Sequence, residues 1–274
     1  MPFKTVLTIV SPHRGDDDLK MVSTLCSETD AHLSIVILTP APAPPIGAYA
    51  IGWFEQLERD EHALKRRTAA VSRLLASSTV SSDLWTVYPE VPSLDDVVGR
   101  RARYADITVL GPELLSDETL KAKALEGTLF SSGKPVLLIP AGAKASLRPK
   151  RVNVAWDSRV EASNAVASSL DMLRMAEEVR LVLVDPVQGE GAQGAEPGAD
   201  AATYLARHGV KVVVDRLPSQ GQPIAEVLGR HAVDKAAEVL VMGAYGHSRL
   251  RERLFGGVTR SMIETPPLPV LMGR

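Results

Sequence analysis

The chain has 274 residues, 45% of them hydrophobic and 23% charged, and a formal net charge of −2. That balance belongs to a globular protein: it offers no basic field for nucleic acid or anionic lipid, and no apolar run approaches the length that spans a bilayer. The single cysteine, Cys26, excludes an intrachain disulfide and a multi-cysteine metal site.

Residues 4–10 read as a strand, with no signal-peptide pattern ahead of it, so the expected location is cytoplasmic. Asp16-Asp17-Asp18 opens a helical pattern, where carboxylates complement the helix dipole; this reading is favoured over a metal site. Cys26 falls on the apolar side of that pattern and is expected to be an inert core thiol. Thr39-Pro40-Ala41-Pro42-Ala43-Pro44-Pro45 is a stiff loop near the strand edge. Residues 105–111 and 135–139 read as strands, and 141–150, small and polar with a proline, as a linker.

The second half repeats the first. Leu94-Asp95-Asp96-Val97-Val98-Gly99-Arg100 matches Ile224-Ala225-Glu226-Val227-Leu228-Gly229-Arg230, and Ala105-Asp106-Ile107-Thr108-Val109-Leu110-Gly111 matches Ala237-Glu238-Val239-Leu240-Val241-Met242-Gly243. Pro135-Val136-Leu137-Leu138 matches Pro269-Val270-Leu271-Met272. Matches in the same order and at nearly constant offset imply a tandem duplication, with domains at 1–142 and 149–274.

In the second half, strands are expected at 152–156, 179–184, 210–214, 238–242 and 268–272. Helices are expected at 160–177, 201–208, 222–234 and 258–264. In the first of these helices Ala162, Val166, Leu170, Leu173 and Ala176 recur at steps of four and three, which gives one buried face. Alternating strands and helices imply a parallel α/β sheet covered on both faces. Ligands of such sheets bind outside the strand carboxyl ends, so the loops after Trp156, Val184 and Met242 are the candidate edge.

One of those loops is rich in glycine. Val239-Leu240-Val241-Met242-Gly243-Ala244-Tyr245-Gly246 is followed after nine residues by Gly256-Gly257-Val258-Thr259. A buried strand opening into a glycine loop, with a helix starting at further glycines, suits an anion held by backbone N–H groups. Neither a P-loop nor a G-x-G-x-x-G fingerprint is present.

The Gly-x-x-Gly, nine residues, Gly spacing resembles the nucleotide-binding branch of the universal stress protein family, and the resemblance extends over nearly the whole chain as two copies. It implies two tandem adenine-nucleotide-hydrolase-like α/β domains, each a five-stranded parallel sheet of order 3-2-1-4-5. It also implies that the strands at 135–139 and 269–272 pair antiparallel as an internal pseudo-dimer. A homodimer and an unidentified protein partner are compatible with the same resemblance; nucleic acid and membrane are not expected.

By the resemblance, Asp157 would bond the adenosine part, with Ala155, Trp156 and Leu183 beside it. Met242, Gly243, Tyr245, Gly246, Gly256, Gly257, Val258 and Thr259 would hold ribose and phosphates. Asp157 is also a good turn or capping residue before the helix at 160. Gly257 stands where the family carries Ser or Thr, and Trp156 is bulkier than its usual counterpart. In the first half Val10 takes the aspartate position and Pro112-Glu113-Leu114 follows Gly111, so that copy is expected not to bind nucleotide. His247, Ser248 and the arginines at 249, 251 and 253 follow the glycine loop, without an acidic partner at a readable spacing. The expected function is a stress-response sensor or regulator that binds ATP or a related adenine nucleotide, with or without Mg²⁺, in its C-terminal domain. The alternatives are a nucleotide-free scaffold and a slow ATPase.

Overall fold

Short β-branched runs separated by longer amphipathic ones fold here as strands joined by helical crossovers. The computed structural model describes residues 3–44, 50–189, 195–244 and 257–274. They divide into two units, Phe3–Lys134 and Pro135–Arg274.

The first unit contains β1 (Thr5–Val10), α1 (Asp17–Thr29), β2 (His32–Leu38), α2 (Ala50–Ala76), β3 (Ser82–Val87), α3 (Leu94–Ala102), β4 (Ile107–Leu110), α4 (Pro112–Leu115) and α5 (Glu118–Glu126). Its strands are parallel in the order β3-β2-β1-β4, with Thr5 opposite His32 and Val6 opposite Ile107. β1, β2 and β4 are buried almost throughout, as strands covered on both faces must be, and they read accordingly as continuous apolar runs. β3 is more exposed. On it Asp83 accepts from Arg101 at 2.7 Å and Trp85 at 2.5 Å, and the Arg101 guanidinium lies 3.9 Å over the Trp85 ring.

The second unit contains β5 (Val136–Leu138), β6 (Arg151–Ala155), α6 (Val160–Met175), β7 (Glu178–Val184), α7 (Ala199–Arg207), β8 (Val212–Leu217), α8 (Ile224–Asp234), β9 (Val239–Gly243), α9 (Gly257–Glu264) and β10 (Val270–Gly273). The order β8-β7-β6-β9-β10 is the expected 3-2-1-4-5. The antiparallel pairing expected between the strands at 135–139 and 269–272 is formed. β5 belongs to the second unit and runs antiparallel to β10, with Leu137 opposite Leu271. β10 is apolar and fully buried, and the added strand pairs a row of N–H and C=O groups that would otherwise be an open edge.

β8 also starts and ends later than the apolar pattern suggests. Asp215 and Arg216 interrupt that pattern but keep their places in the ladder opposite Val182 and Leu183. Asp215 accepts from His231 at 2.9 Å and Arg180 at 2.9 Å, while the other imidazole nitrogen of His231 meets the buried Asn153 amide at 3.0 Å. This network seats α8 on the sheet.

Candidate functional site

The carboxyl edge of the second sheet is built first by β6. Its ladder runs one residue past the strand, since the Trp156 N–H donates to the Val182 carbonyl at 2.9 Å. The chain then turns through Ser158, whose φ is 64°, and the Asp157 carboxylate accepts the Arg159 N–H at 3.1 Å. Arg159, not Asp157, occupies the cap position of α6. Asp157 therefore closes the turn while its side chain stays 57% exposed at the strand end.

β9 lies beside β6 with Val241 opposite Val154, so Gly243 and Ala244 come out on the same edge as Trp156 and Asp157. Gly243 has a packing reason as well as a place. A Cβ there would fall 2.5 Å from the Ala162 backbone nitrogen and 2.9 Å from Glu161 Cβ. The first turn of α6 thus rests directly on the end of β9. Leu183 and Met242 are buried apolar side chains, which leaves only their backbone for a ligand, and Ala155 is half-buried. Gly257 begins α9, and a Cβ there meets nothing within 4 Å among the described residues. Val258 is half-buried and Thr259 buried. Tyr245, Gly246 and Gly256 lie outside the described residues, as do His247, Ser248 and the three arginines near them.

A cleft of about 180 Å³ adjoins the end of β6, lined by Trp156, Ser163, Val166, Ala201, Tyr204 and Leu205. Trp156 lines this cleft and does not fill it. The two aromatic rings and aliphatic floor suit a flat, largely apolar group, and the Ser163 hydroxyl adds one polar contact. Sequence reasoning missed Tyr204 and Ser163, which carry no motif. Their three-residue spacing from Ala201 and Val166, behind a tryptophan at a strand end, was the available signal. Asp185, after β7, is held below the usual carboxylate range by the Ser219 hydroxyl and N–H, the latter donating at 2.8 Å. That bond ties together the loops following β7 and β8.

The corresponding corner of the first unit is closed from within. The Asp18 carboxylate, 3% exposed, accepts the N–H groups of Glu113 at 3.1 Å and Leu114 at 2.9 Å, and the Glu113 carboxylate accepts the Asp18 N–H at 3.2 Å. A Cβ on Gly111 would lie 2.3 Å from the Asp18 carboxylate. Desolvation pushes the Asp18 carboxyl above the usual range, against the two backbone bonds that favour its charge. Asp17 and Asp18 lie in the first turn of α1, as expected of the carboxylate run, and Asp18 also caps α4 across the sheet edge. Among the described residues no cluster of His, Cys, Asp or Glu has the arrangement of a metal site.

Asn153, His231 and Asp215 have the composition of a catalytic relay, yet both imidazole nitrogens are engaged within it. No hydroxyl or thiol nucleophile adjoins them among the described bonds.

An open α/β sheet with a cleft at its strand carboxyl ends defines a class of small-ligand-binding folds. Residues 149–274 match the universal stress protein family, and they form a universal stress protein domain. A universal stress protein of Synechocystis is 34% identical over 74 residues, 27% of this chain and 25% of the relative, so the alignment spans only a quarter of that protein. Two solved structures share the fold along the chain. A universal stress protein of Archaeoglobus fulgidus has 14% identity, covers 98% of this chain and 96% of its own, and gives a TM-score of 0.68. One described as a putative universal stress protein of Pseudomonas aeruginosa has 14% identity, covers 98% and 92%, and gives 0.55. Among the described residues no helix is long and apolar enough to cross a membrane.

Proposed function

We propose that residues 149–274 bind ATP or a related adenine nucleotide, and that the chain acts as a stress-response sensor or regulator. Family membership supports the stress-response role. The observation that carries the nucleotide reading is the meeting, on one sheet edge, of Asp157 and Gly243 with the cleft lined by Trp156 and Tyr204. In this reading the base enters the aromatic cleft and the Asp157 carboxylate accepts from ribose or base. The phosphates lie toward the start of α9, where N–H groups without helical partners favour negative charge. Mg²⁺ would arrive on the nucleotide, since it prefers phosphate oxygens and few carboxylates.

Calorimetric titration of the full chain with ATP, ADP and GTP tests this. Asp157→Ala is expected to weaken adenine-nucleotide binding about 10- to 100-fold, the worth of a charge-assisted hydrogen bond. Gly257→Glu, a side chain that meets no described residue, is expected to abolish it by repelling phosphate. Absence of binding heat in the unaltered protein would leave the nucleotide-free scaffold as the reading.

A further inference from the structure

We propose that the first unit carries an anion site of its own, for a small phosphoryl-bearing molecule, between the loop after β1 and helix α2. A cleft of about 360 Å³ is lined there by His13, Gln56, Arg59, Asp60, His62, Ala63 and Arg66. That volume is in the range of small-molecule sites. Arg59, His62 and Arg66 recur at steps of three and four, so they share one face of α2 and converge on His13 from the loop.

The balance of charge at this cleft is cationic. Among the described residues Arg66 has neither an ion pair nor a hydrogen bond. Among the described residues Arg59 pairs with Glu55 at 3.7 Å and donates to Gln56 at 3.0 Å, and its pair with Glu55 is exposed, which makes it cheap to exchange for a ligand. The one carboxylate in the lining is already committed: Asp60 accepts from Gln56 at 2.7 Å and from the Tyr88 hydroxyl at 2.6 Å. Glu61, on the same helix, is taken by Lys65 at 2.7 Å.

The frame behind these groups is fixed. Buried Arg67 donates to the Gly15 carbonyl at 2.5 Å and pairs with Asp16, pinning the loop to α2. The loop and the helix that carry the cations are thus fastened together before any ligand arrives, which reduces the ordering cost of binding. His13 follows the carboxyl end of β1, and the cleft shares no lining residue with the corner that Asp18 closes. Planar guanidinium groups with flanking imidazoles match phosphoryl oxygens in geometry as well as charge.

The test is a titration of inorganic pyrophosphate into the full chain, followed by the imidazole NMR signals of His13 and His62. The signals are assigned with His13→Gln and His62→Gln. Both are expected to shift saturably over one concentration range. Arg59→Ala and Arg66→Ala, at exposed positions of a helix that accepts alanine well, should each weaken binding about tenfold. Arg174→Ala, on α6, should change nothing, and neither should Gly257→Glu, so the result is independent of the nucleotide site. Signals that drift without saturating up to about 10 mM, or undiminished affinity in Arg66→Ala, would overturn the proposal. Equally tight binding of sulfate would overturn its phosphoryl preference.

Discussion

The Asp18 carboxylate accepts the Leu114 amide N–H at 2.9 Å across 96 positions of sequence. It accepts the neighbouring Glu113 N–H as well, so the start of α4 is already supplied with an anion by its own chain. These two bonds fasten α1 to the end of β4.

Removing that carboxylate therefore harms stability and not ligand binding. Asp18→Ala leaves two N–H groups unsatisfied in a buried corner, at about 1–3 kcal/mol. Urea unfolding of the full chain checks this, with unchanged nucleotide binding in the second half.

Two glycines that look alike in sequence should respond in opposite ways. Gly243→Ala drives a Cβ into the backbone of α6 and should cost about 1–3 kcal/mol. Gly257→Ala meets no described residue and should be neutral or stabilising by about 0.4–1 kcal/mol, through the unfolded chain. Thermal melts of the two variants side by side are sufficient.

Acid should loosen the first unit through Asp83. Burial works to raise its carboxyl, but bonds from Ser34, Trp85 and His32 and the Arg101 charge outweigh burial and hold it below the usual range. A group depressed in the folded state stabilises fully above its unfolded value, near pH ~4, and loses that contribution as pH falls through the folded one. Asp83→Asn should be less stable at neutral pH and show a flatter fall below pH ~4, read by tryptophan fluorescence during unfolding.

Cys26 should be silent in the native protein. It is fully buried, and desolvation pushes its thiol up to about 12. A thiol reagent such as Ellman's should label it only after denaturation, at one equivalent per chain.

Much of this fold is legible in the residues because buried parallel strands are written as local apolar runs. The helix at 160 and the strand order of the second half follow from local pattern and the family likeness. What the sequence hides depends on partners far along the chain. Nothing near Asp18 announces Leu114, and Gly243 reads as room for a ligand until α6 is seen resting on it. Asp215 and Arg216 look like the end of a strand because their partners, His231 and the Pro197 carbonyl, are supplied by other elements. Tyr204 sits at an unremarkable helical position and gains meaning only opposite Trp156.

The most direct test of the nucleotide reading is to denature the freshly purified chain and identify released nucleotides by mass spectrometry, beside Gly257→Glu treated identically. The account predicts adenine nucleotide close to one equivalent from the native protein and none from the variant. An empty native protein that also gives no heat with added ATP would contradict it.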